Sequence, residues 1–89
     1  MKLVVTVIGK DQVGIIAMVS RELADNNVNI LSVNQNIMDG FFNMVMLTET
    51  NDDKTKLTDL QEKLRAKGAA INLEIKVQHE DIFKAMHEI

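Results

Sequence analysis

Residues 28–47, VNILSVNQNIMDGFFNMVML, decide the topology of the chain. An apolar, β-branched run leads into Asp39-Gly40, and a second apolar run leaves it. Both central positions of a type I′ turn need positive φ, which Asp-Gly adopts at little cost. The stretch therefore reads as a hairpin of two antiparallel strands, residues 28–38 and 41–50. Parity in the first strand is imperfect. Val28 and Ile30 fall on even positions, while Leu31, Val33 and Ile37 fall on odd ones. A bulge or strong twist near residues 30–31 reconciles them. The second strand is apolar on both parities, Phe41, Val45 and Leu47 against Phe42, Met44 and Met46. A strand covered on both faces reads this way.

Upstream, residues 2–8 (KLVVTVI) form another doubly apolar strand. From Val13 to about Asp25, Ile16, Val19 and Leu23 recur at helical spacing, with Ile15 and Met18 widening the stripe. The Asp-Asn-Asn run at 25–27 ends this helix, because Asn tolerates a left-handed cap. Downstream, NDDK at 51–54 reads as a loop. Leu57, Leu60 and Leu64 mark a second helix, with Gly68 expected as the glycine just past its end. Residues 71–78 (INLEIKVQ) alternate cleanly, as a half-exposed edge strand does. A last helix at about 80–89 puts Ile82, Phe83, Met86 and Ile89 on one side.

The order is βαββαβ plus a C-terminal helix. It predicts an α+β, ferredoxin-like sandwich with an antiparallel four-stranded sheet. Strands one and three take the centre, two and four the edges. One domain is expected over 1–89, with its core in 2–78. Two helices cover one sheet face. If the odd positions of the third strand face those helices, Phe42, Met44 and Met46 lie on the other face. Such a patch needs a cover, from the C-terminal helix or a second subunit.

Composition narrows the function. A chain of 89 residues is modestly stabilised by burial, so a homodimer is a reasonable expectation. Apolar residues make up 46% and charged residues 26%, an ordinary soluble profile. The net charge of −3 argues against a nucleic-acid footprint. Cysteine is absent, which fits a cytoplasmic protein and excludes disulfides and thiolate sites. No apolar run is long enough for a membrane span. The N-terminal MKLVVTVIGKD reads as a strand rather than a signal peptide.

Few motifs suggest chemistry. IGKDQVGIIAMV at 8–19 has G-x-x-x-x-G spacing between a strand and a helix. A phosphate loop needs Lys and then Ser or Thr after the last Gly, but Ile15 and Ile16 stand there. What remains is a helix start whose amides near Val13, Gly14 and Ile15 favour a carboxylate. The bland alternative is that Gly9 and Gly14 permit a turn and close packing, and spacing alone favours it. DGFFNMVM matches the RNA-binding strand of RRM domains only at Gly40 and Phe41, because Asp39 and Asn43 replace the expected cation and aromatic. His79 and His87 read as part of a solvated C-terminal segment with Glu80 and Lys84 paired, not as metal ligands. No general acid–base pair is evident, and neither an enzyme nor a cofactor is indicated. Ser32, Asn34 and Asn36 share one parity, with Asn29 opening the strand. They fit equally a polar edge strand and an edge used for pairing or ligand contact.

DQVGIIAMVSRELADNNVNILSVNQ resembles the ACT domain signature. The matching residues are Asp11, Gly14, Leu23 and Asn29-Ile30, with Val13 where family members often have Pro. The resemblance covers residues 2–78 and is nearest to small stand-alone bacterial ACT proteins, similar to half of the glycine cleavage system transcriptional repressor. It implies a regulatory, non-catalytic domain that binds an amino acid or related ligand at a subunit interface. Carried over, the loop contacts are Asp11, Val13, Gly14 and, through its main-chain amide, Ile15. Asn29, with Ile30 beside it, contributes from the neighbouring chain. Some ACT domains bind no ligand and only associate, so a ligand-free interaction module is the alternative. Any output passes through a further protein partner.

Overall fold

The computed structural model describes residues 1–51 and 57–87. In chain order the elements are β1 (Lys2–Lys10), α1 (Ile15–Asp25), β2 (Asn29–Met38), β3 (Phe41–Glu49), α2 (Leu57–Ala69), β4 (Leu73–His79) and α3 (Glu80–His87). Of the expected loop at 51–54, residues 52–54 lie outside the described residues. So do Glu88, Ile89 and the side chain of His87. The strands form one antiparallel sheet in the order β2-β3-β1-β4. This is the expected ferredoxin-like arrangement, with the doubly apolar strands in the centre.

Local signals account for the turns. Asp39 and Gly40 have φ of 51° and 81°, the two positive values of a type I′ hairpin. The β2–β3 register shifts between Ile30 and Ser32, so Leu31 is the extra residue of a bulge. Asn27 takes a φ of 60°. The Val28 N–H returns to the Leu23 carbonyl at 2.9 Å, closing α1. At the start of α3, His79 Nδ1 accepts from the Asp81 N–H at 3.2 Å and acts as its cap. Glu80 and Lys84 pair along the helix at 3.3 Å.

The core lies between α1, α2 and one sheet face. Leu3, Val5 and Val7 of β1 pack there with Leu23 and Leu64 from the helices. Phe42, Met44 and Met46 are buried in the same core. The even positions of β3 therefore face the helices, which decides the parity that the sequence left open: Phe42, Met44 and Met46 do not lie on the other face. The cross-strand register supplies the reason. It sets Phe41 opposite Lys10, Asn43 opposite Ile8 and Val45 opposite Thr6, so the odd face collects the polar partners. The α3 helix lies against that face, where Phe83 and Met86 border a hollow of about 370 Å³ with Ile8 and Val45.

One expectation is corrected at Gly68. The α2 helix continues through it to Ala69. A Cβ at Gly68 would stand 2.8 Å from the Leu73 carbonyl oxygen and 2.8 Å from Ile75 Cγ1. The glycine is there because α2 presses against β4, not because the helix ends. The turn after α2 uses Asn72, with φ of 60°. Across the helical layer, buried Glu22 of α1 pairs with Lys67 of α2. On the exposed side of α2, Arg65 Nε donates to Glu62 at 3.0 Å. That hydrogen bond and the guanidinium charge hold the Glu62 carboxyl below its ordinary value and raise Arg65.

Candidate functional site

The loop from β1 to α1 is fixed at both sides. The Asp11 N–H donates to the Gly40 carbonyl at 2.8 Å, tying the loop to the β2–β3 hairpin. Gln12 Nε2 donates to the Ile71 carbonyl at 3.0 Å, tying it to the turn before β4. Gln12 was not among the expected site residues, because its partner lies 59 positions away and no local pattern points to it. Gly14 has φ of 93° and precedes α1 without any side-chain cap. The first amides of α1 are thus directed out of the helix start, where an acceptor is favoured. Asp11 and Val13 are exposed, while the Ile15 side chain is buried in the core. Ile15 can offer only its main-chain N–H.

Asn29 and Ile30 lie elsewhere. Asn29 stands opposite Glu49, which stands opposite Lys2. The Asp11 loop follows Lys10, which stands opposite Phe41 and, through it, Met38. The two halves of the expected site therefore occupy opposite ends of the sheet. The length of β2 separates them, roughly 25–30 Å at ~3.3 Å per residue. Each end carries its own hollow. Asn29 shares one of about 390 Å³ with Asn27, Glu49 and Asn51. Beside the hairpin, Asn36, Met38, Asp39 and Phe41 border another of about 350 Å³. Glu49 joins Asn29 through the strand register, which the sequence does not spell out, and Asn51 follows just beyond the strand.

The edge strand β2 joins the two ends. Ser32, Asn34 and Asn36 point their side chains to the face away from the helices, opposite Leu47, Val45 and Asn43. Leu31, Val33 and Ile37 are exposed, 44–51% of each. As an edge strand, β2 carries both this row of exposed apolar side chains and backbone groups that no neighbouring strand pairs.

A model of the ACT domain family matches residues 1–78. The chain belongs to the ACT domain family. Two relatives are UPF0237 proteins. One, from Clostridium perfringens, is 49% identical over the whole of both chains. The other, from the archaeon Methanocaldococcus jannaschii, is 46% identical over 99% of this chain and 98% of its own. Among solved structures, an ACT domain protein from Streptococcus pneumoniae superposes with a TM-score of 0.82 at 36% identity, covering 98% of each chain. A glycine cleavage system transcriptional repressor superposes with a TM-score of 0.75 at 23% identity, covering 89% of this chain and 47% of that one. This ACT domain thus has the fold of about half of that repressor. Its relatives are archaeal as well as bacterial. Among the described residues of the ACT domain, no helix is long and apolar enough to cross a membrane. Nor does any group of three or more His, Asp or Glu stand ready to hold a metal ion.

Proposed function

We propose that this ACT domain, one unit over 1–89, is a non-catalytic cytoplasmic sensor that works as a homodimer. It binds an amino acid or similar small ligand at the subunit interface and passes occupancy to a protein partner. One observation carries the reading. The loop Asp11–Ile15 and the pair Asn29–Ile30 lie at opposite ends of one sheet, joined by the edge strand β2. If two copies pair antiparallel along β2, the Asn29 end of one copy meets the hairpin end of the other. Each Asp11 loop then gains the partner's Asn29, so the dimer carries two complete sites where a single chain carries none. In each site the α1 amides receive the ligand carboxylate, and the Asp11 carboxylate receives its ammonium.

A thermal-shift screen against the standard amino acids tests this. A specific ligand at a hundredfold excess over its Kd adds about 2.7 kcal/mol, or about 11–22 °C in Tm for a chain this size. Asp11→Ala and Asn29→Ala each abolish the shift while leaving the ligand-free Tm close to that of the wild type. The second reading, a ligand-free interaction module, is favoured by the loop's being tied at rest through Asp11 and Gln12. No shift with any amino acid at millimolar concentration decides for it.

A further inference from the structure

The opposite edge of the sheet is β4. Met1 and Thr50 exchange both backbone hydrogen bonds at 2.9 Å. Odd positions of β1 therefore turn their backbone groups toward β3, and even positions turn theirs toward β4. The even positions Val4, Thr6 and Ile8 stand opposite Gln78, Lys76 and Glu74. Leu73, Ile75 and Val77 consequently direct their N–H and C=O groups to the outer edge, the Leu73 carbonyl lying beside Gly68 of α2. Gln61 of α2 confirms this orientation, since its Nε2 donates to the Val77 carbonyl at 2.7 Å. That amide stands where the N–H of an added strand would stand. An open hollow of about 500 Å³ lies beside this edge, bordered by Gln61, Arg65 and Ala69 of α2.

The side chains specify what fits there. From Leu73 to Val77 the strand reads Leu-Glu-Ile-Lys-Val. Leu73, Ile75 and Val77 face the core, while Glu74 and Lys76 are exposed on the other face and pair with each other at 3.3 Å. An antiparallel strand opposite this run needs an apolar residue across from Ile75, a base across from Glu74 and an acid across from Lys76. The run itself meets that requirement. Turned about a twofold axis at Ile75, it sets Ile75 against Ile75, Leu73 against Val77, and Glu74 against Lys76 twice.

We propose that β4 is a second self-pairing edge, at which another copy of this chain adds antiparallel through Leu73–Val77 after Gln61 releases the Val77 carbonyl. The four charges then form a ring around the twofold axis. The pairing does not depend on β2, because it uses the other edge of the sheet. With both edges engaged, chains associate beyond a dimer.

Sedimentation velocity over a range of concentrations tests it with the full chain, Lys76→Glu and the swap Glu74→Lys with Lys76→Glu. Both positions are exposed, so the variants fold. The single reversal sets Glu against Glu twice and weakens one association step roughly tenfold or more. The swap restores the complementary pattern and regains that step. A wild type larger than a dimer that falls to a dimer supports the proposal and leaves the β2 pair in place. A dimer that falls to a monomer supports it and counts against β2 pairing. Equal association in all three proteins, or a loss that the swap does not repair, overturns it.

Discussion

Met44→Asp leaves the chain unfolded at room temperature, while Val45→Asp leaves it folded. The two residues are neighbours on β3, yet Met44 is fully buried and Val45 is 39% exposed. A carboxylate at Met44 faces Val7 across the strand pair and meets only the helix-covered core. Burying a charge without a partner costs several kcal/mol. A domain of this size has roughly 5–10 kcal/mol in total. At Val45 the carboxylate stands between Thr6 and Asn34, beside the hollow next to α3, and is exposed enough to remain hydrated. The cost there is about 1 kcal/mol or less. Circular dichroism with urea unfolding separates the two. If Val45→Asp unfolds the chain and Met44→Asp does not, the assignment of the sheet faces is reversed.

Gly68→Ala destabilises by about 1–3 kcal/mol, even though alanine is the better helix former by about 1 kcal/mol. The added methyl would stand 2.8 Å from the Leu73 carbonyl oxygen, which is backbone and cannot rotate away. The α2 helix would have to lift from β4, loosening Leu64 and Ile75 together. In melting temperature the loss is about 4–8 °C per kcal/mol for a chain of this length. Differential scanning calorimetry reads it directly. An unchanged or raised Tm would mean that α2 has slack against β4 and that helix propensity dominates.

These residues also mark the limits of the sequence. The Asp39-Gly40 turn and the parity break at Ile30–Leu31 were legible, because turn and bulge chemistry is local. The strand order was legible from Phe41–Leu47 and Leu73–Val77, whose patterns differ as central and edge strands differ. Which face of β3 meets the helices was not, since Phe42 and Met44 look no more apolar than Phe41 and Val45. Only the register, which sets Lys10 and Thr6 beside the odd positions, makes the difference. Gly68 misleads for a similar reason. A glycine near a helix end signals a cap, and the contact with Leu73 appears only once β4 is packed. The sequence resemblance named Asp11, Gly14 and Asn29. It also implied that Asn29 comes from the neighbouring chain, but not that Asp11 and Asn29 lie at opposite ends of the sheet, nor that Gln12 anchors the loop to Ile71.

That separation opens a ligand site shared between subunits to a complementation experiment. Asp11→Ala and Asn29→Ala homodimers should each fail to bind the amino acid found by the thermal screen. When the two variants are unfolded together and refolded, every mixed dimer contains one intact site. It is formed by Asp11 of the Asn29→Ala chain and Asn29 of the Asp11→Ala chain. Isothermal titration calorimetry of the mixture should then regain binding at wild-type affinity with reduced stoichiometry. A mixture as silent as its two parents would contradict a ligand site shared between subunits.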